Sequence, residues 1–230
     1  NGQRAEARRL AAAFPQTPRV PWEVLHFANA YDALGMEPEA LKLLAQAAPE
    51  SCDQGTRWSS RLWLKYCDLL LQTERWSELA DAAAQMRGCR ALQKEMEGYA
   101  ELMDGRAQLG LQQRELAAAA FKQVPNLPFP SPAAALFGAR LLKRVGQLAE
   151  ARDLLQKIEA NLDTDPEYWR ACLEVAGALR EDALWLLKSA QRLHQLAPQN
   201  DEAELEYALA LVVNRQSPGE AARITLKALN

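Results

Sequence analysis

A glycine followed by an alanine and then by a leucine recurs along this chain. The two clearest copies each lie between two amphipathic helical patterns: Gly35, Ala40 and Leu44, and Gly146, Ala151 and Leu155. Gly2 with Ala7 is a truncated copy at the start of the chain. Ala151 and Ala221 are separated by two periods of about 35 residues. A repeat of this length predicts stacked helical hairpins, because one hairpin cannot bury its own apolar face.

Composition favours helices over strands. Hydrophobic residues make up 49% of the chain and charged residues 25%. Ala and Leu dominate the apolar set, rather than the β-branched residues that strands favour. Periodicity and capping signals predict a lone helix over 3–13 followed by six helix pairs. The predicted pairs are 21–34 with 37–48, 57–72 with 75–86, 91–109 with 113–124, 132–145 with 148–161, 166–179 with 182–197, and 201–215 with 218–229.

These pairs resemble the tetratricopeptide repeat family, whose unit of about 34 residues contains a helix A and a helix B. The resemblance covers essentially the whole chain. The matching residues are Trp22, Val24, Phe27, Ala28, Tyr31, Gly35, Ala40, Leu44 and Ala47 in the first full repeat, Leu142, Gly146, Leu148, Ala151, Leu155 and Ile158 in the fourth, and Leu205, Ala208, Leu209, Ala221, Thr225 and Ala228 in the last. The resemblance implies an all-α fold of tandem antiparallel helix hairpins stacked in a right-handed α-solenoid.

The repeats predict a single array over residues 1–230. A partial helix B at 1–18 precedes repeats at 19–54, 55–90, 91–130, 131–164, 165–199 and 200–230. Three repeats depart from the pattern: Glu74 replaces the turn glycine in the second, an extra residue precedes Ala117 in the third, and the turn at 180–182 is short in the fifth. Because the chain opens inside a helical pattern and lacks an initiator Met, we expect it to be a segment of a longer protein.

The proline-rich stretch 124–132 is the longest predicted loop between repeats. Its prolines lack backbone N–H donors and clash with preceding carbonyls, so the stretch cannot continue a helix. A structural spacer and a hinge are both consistent with this composition.

The resemblance also implies a concave groove lined by one face of each helix A. The corresponding positions are Trp22, Leu25, Asn29 and Asp32 in the first full repeat, Arg61, Leu64, Asp68 and Gln72 in the second, Glu97 and Asp104 in the third, Leu136, Arg140, Lys143 and Arg144 in the fourth, and Arg170 and Glu174 in the fifth. Trp22 is the candidate for an aromatic residue that contacts a ligand. Trp63 and Trp169 open their helices and are expected in the core.

The chain carries no sequence pattern typical of an active site. It has no Gly-rich phosphate loop, no HExxH pair and no GxSxG turn. The two histidines, His26 and His194, are far from the four cysteines, which form no CxxC pair and so do not predict a zinc site. We therefore expect this segment not to be an enzyme and to contain no catalytic residue, cofactor or metal.

The net charge of −3 argues against a nucleic-acid or anionic-membrane surface, which requires clustered positive charge. No apolar run approaches the roughly 18 residues of a membrane-spanning helix. One local basic face is predicted, because Arg140, Lys143 and Arg144 have i, i+3 and i+4 spacing. An acidic peptide segment is the partner that this face would bind, and a solvated helix face is the alternative.

The cysteines indicate the redox state of the cellular compartment in which the chain is expected. Cys67 and Cys172 occupy small apolar positions in predicted helices, where a free thiol behaves as a compact hydrophobe. Unpaired core thiols favour a reducing compartment such as the cytoplasm, whereas a signal on the parent protein would place the chain in the periplasm. Cys52 and Cys89 lie in predicted loops between repeats, where a disulfide is an open alternative.

Three functions are consistent with these observations. The leading hypothesis is a protein-interaction module or scaffold that binds a protein or peptide in the concave groove. The first alternative is an architectural spacer or a domain that self-associates through its exposed end helices. The second is a regulatory or substrate-recruiting arm of an enzyme whose catalytic domain lies outside this segment. The fold alone does not choose among them.

Overall fold

The computed structural model describes residues 5–6, 8–9, 18, 20–54, 58–89, 92, 96–179 and 182–228. These residues form twelve α-helices and one 3₁₀ turn, and all of their regular elements are helical. The helices are α1 Pro21–Ala33, α2 Glu37–Gln54, α3 Ser59–Gln72, α4 Trp76–Gly88, α5 Glu97–Gly110, α6 Arg114–Gln123, α7 Pro132–Arg144, α8 Leu148–Leu162, α9 Pro166–Leu179, α10 Ala183–Leu196, α11 Asp201–Val213 and α12 Pro218–Ala228. Of the lone helix predicted over 3–13, residues 5, 6, 8 and 9 are described and are helical.

The chain falls into two compact units, Asn1–Pro130 and Ser131–Asn230. The first contains α1 to α6 and the second contains α7 to α12. Within each unit every helix packs against its neighbours in the chain, and α1 also packs on α3, as α7 does on α9. This stacking of consecutive hairpins is that of a helical solenoid, so the predicted all-α solenoid class is confirmed.

Five hairpin turns share one backbone geometry. The second residue after the end of helix A has a left-handed conformation with φ between 54° and 83°, and these residues are Gly35, Glu74, Gln112, Gly146 and Arg215. The N–H of the next residue donates to a carbonyl in the last turn of helix A, as Gln147 does to Leu142 at 2.9 Å. This is the Schellman motif, which satisfies carbonyls that a helix end would leave unpaired.

The turn geometry contradicts the extra residue predicted before Ala117 in the third repeat. Ala117 follows Gln112 at the same spacing at which Ala40 follows Gly35, so the turn of the third repeat contains no extra residue. The longer turn is in the last repeat, where Ser217 also has a positive φ of 40°. The short turn expected in the fifth repeat falls at residues 180–181, which lie outside the described residues.

Helix bounds agree with the predicted ranges to within two residues except at α2 and α5. α2 was expected to end at Ala48, before a proline, but it continues through Pro49 to Gln54. Tertiary contacts hold this extra turn, since the Ser59 hydroxyl donates to the Ser51 carbonyl at 2.9 Å. The described part of α5 begins at Glu97 rather than at 91.

The helix core contains many of the residues that the repeat pattern selects, although Leu205 and Leu209 of the last repeat are exposed. Trp63 and Trp169 are 0% and 1% exposed, which confirms both as core residues. The positions facing helix A from helix B are fully buried in the first and fourth repeats, at Ala40, Leu44, Ala151 and Leu155. Cys67 and Cys172 are buried free thiols, as expected.

The proline-rich stretch packs back onto α5 within the first unit. Val124–Asn126 forms the 3₁₀ turn, and Val124 and Pro125 are buried. The Gly98 N–H donates to the Pro128 carbonyl at 2.9 Å. A Cβ atom at Gly98 would lie 2.5 Å from the Phe129 ring, so this close approach requires glycine. The stretch as far as Phe129 is therefore packed against α5.

A disulfide joins Cys52 to Cys89, with their Cα atoms 5.3 Å apart. Cys52 lies in the last turn of α2 rather than in a loop, and Cys89 directly follows α4. The bond therefore connects the ends of two consecutive B helices. The indole Nε1 of Trp63 donates to the Cys52 sulfur at 3.4 Å, which places the bond against the core of α3.

Candidate functional site

Ion pairs between α7 and α9 occupy the predicted basic face. Arg140 bonds the Glu167 carboxylate at 2.7 Å, and Lys143 bonds the Glu174 carboxylate at 2.5 Å. Arg170 also contacts Glu167, at 2.9 Å. Each cation thus has an acidic partner from helix A of the fifth repeat.

These pairs change the expected chemistry of that face. Arg140 and Lys143 share a side of α7, as their spacing predicts, but their charges are largely compensated within the protein. Arg144 is exposed and forms no ion pair with a described residue. Arg140 and Lys143 therefore do not form a free positive site for an acidic ligand.

In the first unit, the predicted groove residues lie along α1, α3 and α5. Trp22 is 48% exposed and contacts His26 edge to face at 5.8 Å between ring centroids. Asn29 and Arg61 are exposed, and the Arg61 guanidinium lies 4.9 Å from the Trp58 ring centroid. Gln72 and Glu97 are exposed as well. The remaining predicted residues there are half-buried: Leu25, Asp32, Leu64, Asp68 and Asp104.

Asp32 and Asp68 already have partners within the first unit. The Lys65 ammonium on α3 bonds the Asp32 carboxylate on α1 at 2.6 Å. The Gln72 amide donates to Asp68 at 2.8 Å along the same helix. Asp32 therefore links the A helices of two repeats, which is a structural role.

A groove in the second unit is the best-formed candidate binding site. It lies between α9 and α11, with α10 beneath, and we call it the α9–α11 groove. Its volume is about 570 Å³, within the usual range for ligand pockets. The floor is apolar and is formed by Leu173, Ala176, Leu186, Leu193, Ala203 and Ala210. Two residues predicted from the sequence, Arg170 and Glu174, line it as well.

The groove exists because α9 and α11 do not pack closely. The preceding A helices, α7 and α9, are in direct contact, whereas α9 and α11 are separated by the groove. Gly177 lies at its edge, and a Cβ atom added there would meet nothing within 4 Å. Small residues on the facing helices, Ala176 and Ala203, also leave the space unfilled.

The polar residues of the groove are mainly acidic. They are Glu174, Asp182, Glu202, Glu206 and Arg170. Glu174 and Arg170 are ion-paired as described above, and the Asp182 carboxylate caps α10 by accepting from the Trp185 N–H at 2.9 Å. Glu202 and Glu206 form no ion pair with a described residue. Their charges are therefore available to a ligand.

α11 gives the groove a direction. Glu202, Glu206, Leu209 and Val213 lie at i, i+4, i+7 and i+11 and so form one stripe along the helix. Leu209 and Val213 are 58% and 51% exposed. The groove is thus acidic near the start of α11 and aliphatic near its end.

Sequence reasoning missed most of this groove. Its residues from α10 and α11, and Leu173 and Gly177 of α9, were not among the predicted site residues. One signal could have indicated it: residues 208–213 of α11 are a continuous apolar run, so their side chains point to all sides of the helix rather than to one buried face. The helix accordingly exposes Leu205, Leu209, Val212 and Val213.

The buried titratable groups do not resemble catalytic groups. Burial raises the pKa of the Cys172 thiol to about 12 and that of the Cys67 thiol above its usual range, so both stay protonated and unreactive. No cluster of three or more metal-ligating side chains is present in the described part of the chain. None of the described helices has the length and apolar character needed to cross a membrane.

Comparisons with known proteins do not assign a family. No family model matches the sequence, and no curated protein matches it either. Among solved structures, the chain is similar to the human IFIT1 dimer with m7Gppp-AAAA, at 12% identity and a TM-score of 0.45. The match covers 98% of this chain and 53% of that one, so this chain spans about half of its length. A likeness at this level supports no statement about ligand or function.

Proposed function

We propose that this segment is a protein-interaction module that binds an extended or helical segment of a partner in the α9–α11 groove. The observation that carries the proposal is the groove itself, which combines an open apolar floor with exposed Leu209 and Val213 at its rim. Large apolar side chains of a partner would remove this surface from water, which is the main driving force of protein association. The proposal assigns no catalytic step, cofactor or metal to this segment.

The geometry favours this function over a purely architectural one. A spacer needs contacts only between successive repeats, and it gains nothing from an apolar groove left open between two A helices. Exposed aliphatic side chains gathered in a concave site typically mark an interaction surface.

A selection experiment tests the proposal. Random peptides displayed on phage would be selected against the full chain and then measured against Gly177→Phe, which fills the groove from a position with open space. We expect the enriched peptides to lose at least roughly tenfold in affinity, since one blocked apolar anchor is worth about 1.4 kcal/mol or more. Gly219→Phe is the matched control, because an added side chain on α12 also meets open space, away from the groove.

Folding of both variants is monitored in parallel, so that a loss of peptide binding can be assigned to the blocked groove. Both variants should keep the circular dichroism spectrum of the parent protein. Peptides that bind Gly177→Phe as tightly as the parent would show that the groove is not the binding site, and Trp22 on α1 would then be the next position to test.

A second candidate function, self-association, is supported by the surface beside α12. Val212, Ala222 and Leu226 line an open depression there, and Val212 and Leu226 are 60% and 63% exposed. If this surface joins two copies, light scattering will show a dimer that Val212→Lys disrupts. A monomer at all accessible concentrations would exclude this function.

A further inference from the structure

The α9–α11 groove also indicates which class of partner it binds, and this inference rests on the proposed function. Its two uncompensated charges, Glu202 and Glu206, lie near the start of α11, while its exposed aliphatic side chains lie near the end. We propose that the groove selects a partner segment that carries one large apolar anchor and, at a defined distance from it, a lysine or arginine.

The apolar anchor belongs at the Gly177 end of the groove. Gly177 lies near the end of α9, as Leu209 and Val213 lie near the end of α11, and all three line the groove. Because a Cβ atom at Gly177 would meet nothing within 4 Å, this end has room for a bulky aliphatic or aromatic group. Removal of that group from water supplies most of the affinity.

The cation belongs at the other end. Glu206 is half-buried and Glu202 is exposed, and neither has an ion-pair partner among the described residues. Because they are one helical turn apart, both carboxylates can contact the same ammonium or guanidinium group. Arg170, a cation that lines the same groove, forms its ion pair with Glu167 instead, at 2.9 Å.

The spacing between the two ends defines the partner. At a rise of 1.5 Å per residue, Glu206 and Val213 are separated by about 10 Å along α11. A helical partner covers this distance when the cation lies seven positions from the anchor, before or after it according to the direction of the partner helix. Acidic partner segments are disfavoured, because they would place like charges beside Glu202 and Glu206.

Defined peptides test this specificity. Three alanine-based helical peptides would each carry a central Phe-Leu pair, with Lys, Gln or Glu seven positions to either side, and fluorescence anisotropy would report their binding to the full chain. We expect the Lys peptide to bind roughly three- to tenfold more tightly than the Gln peptide, as for one or two partly exposed ion pairs. The Glu peptide should bind most weakly, and salt should reduce the differences.

The double variant Glu202→Gln/Glu206→Gln should bring the Lys and Gln peptides to similar affinities. Its matched control is Glu150→Gln/Glu220→Gln, which removes the same charge from first-turn carboxylates outside the groove and should preserve the preference. Equal binding of the Lys and Gln peptides to the parent protein, tighter binding of the Glu peptide, or no measurable binding of the Lys peptide would each overturn the inference.

Failure of this inference can be separated from failure of the proposed function. If the three peptides bind equally and all lose affinity for Gly177→Phe, the groove is the binding site but does not select a cation. If the Lys peptide binds Gly177→Phe as tightly as the parent protein, the peptides bind elsewhere and the proposed function is wrong. A concentration-dependent dimer that Gly177→Phe abolishes would instead assign the groove to a second copy of this chain.

Discussion

Two glycines inside helices occupy opposite environments at the residue scale. A Cβ atom at Gly98 would lie 2.5 Å from the Phe129 ring and 2.8 Å from the Pro128 carbonyl oxygen, whereas one at Gly177 would meet nothing within 4 Å. We expect Gly98→Ala to lower the free energy of unfolding by roughly 1–3 kcal/mol through overpacking. Gly177→Ala should raise it by roughly 0.5–1 kcal/mol, because alanine is the better helix former. Urea denaturation measures both changes, and equal effects would contradict the packing of the proline-rich stretch on α5.

The left-handed turn residues give a second prediction at this scale. Glu74 has a φ of 55°, a conformation that costs an ordinary residue roughly 1–2 kcal/mol and glycine much less. Glu74→Gly should therefore stabilise the protein by about 1 kcal/mol after the added flexibility of the unfolded chain is taken into account. The control Glu74→Ala keeps the strain and should change stability little. If the alanine variant gains as much as the glycine variant, removal of the carboxylate rather than relief of strain is the cause.

At the scale of helices, charge pairs join the A helices of successive repeats. Lys143 of α7 and Glu174 of α9 form such a pair, with side chains 34% and 44% exposed. We expect Lys143→Glu to destabilise the protein modestly, and the added change Glu174→Lys to restore stability with a coupling energy of roughly 0.2–1 kcal/mol. A thermal or urea double-mutant cycle measures this coupling. A coupling of zero would mean that Lys143 is free to bind a ligand, as the sequence first predicted.

The same pairs explain why the basic face could not be interpreted from α7 alone. Helical spacing places Arg140 and Lys143 on one side, but it does not show that Glu167 and Glu174 of the next A helix face them. The partner carboxylates come from another repeat. Only the packing of α7 against α9 brings the four side chains together.

At the scale of the whole molecule, the four cysteines divide into two classes. Cys52 and Cys89 form a disulfide with a sequence separation of 37, while Cys67 and Cys172 are buried free thiols. A thiol reagent should detect no cysteine in the native protein prepared under oxidising conditions and only Cys67 and Cys172 after denaturation. Reduction should lower the free energy of unfolding by roughly 2–4 kcal/mol, because it releases a closed loop. Detection of all four thiols without reductant would contradict the disulfide.

This disulfide changes the expected compartment. Buried thiols favoured a reducing environment, but structural disulfides persist in oxidising ones. The two thiols left free are buried, so they are also compatible with an oxidising compartment. If a Cys52→Ser/Cys89→Ser variant is as stable as the oxidised parent protein, the disulfide is not structural and does not indicate an oxidising compartment. A marked loss of stability would support a structural disulfide.

The fold could be predicted to a large extent because its signals are local. Turn residues, prolines at helix starts and the spacing of small and large apolar residues set most helix bounds to within two residues. The end of α2 could not be predicted this way, because Pro49 normally stops a helix and only contacts with α3 and the disulfide hold the extra turn. The extra residue predicted in the turn of the third repeat was wrong, because Gln112 adopts the left-handed conformation that is usual for glycine.

The sequence by itself determined that this chain forms helical hairpins, the bounds of most helices to within two residues and many of the side chains that enter the core, since these depend on periodicities within one hairpin. It also selected Arg170 and Glu174 as groove residues. Only the tertiary structure decided that Cys52 reaches Cys89, that Arg140 and Lys143 are compensated, and that α9 and α11 leave an open groove. Each of these depends on the distance between different repeats. Small differences in packing control that distance, and no local sequence pattern encodes it.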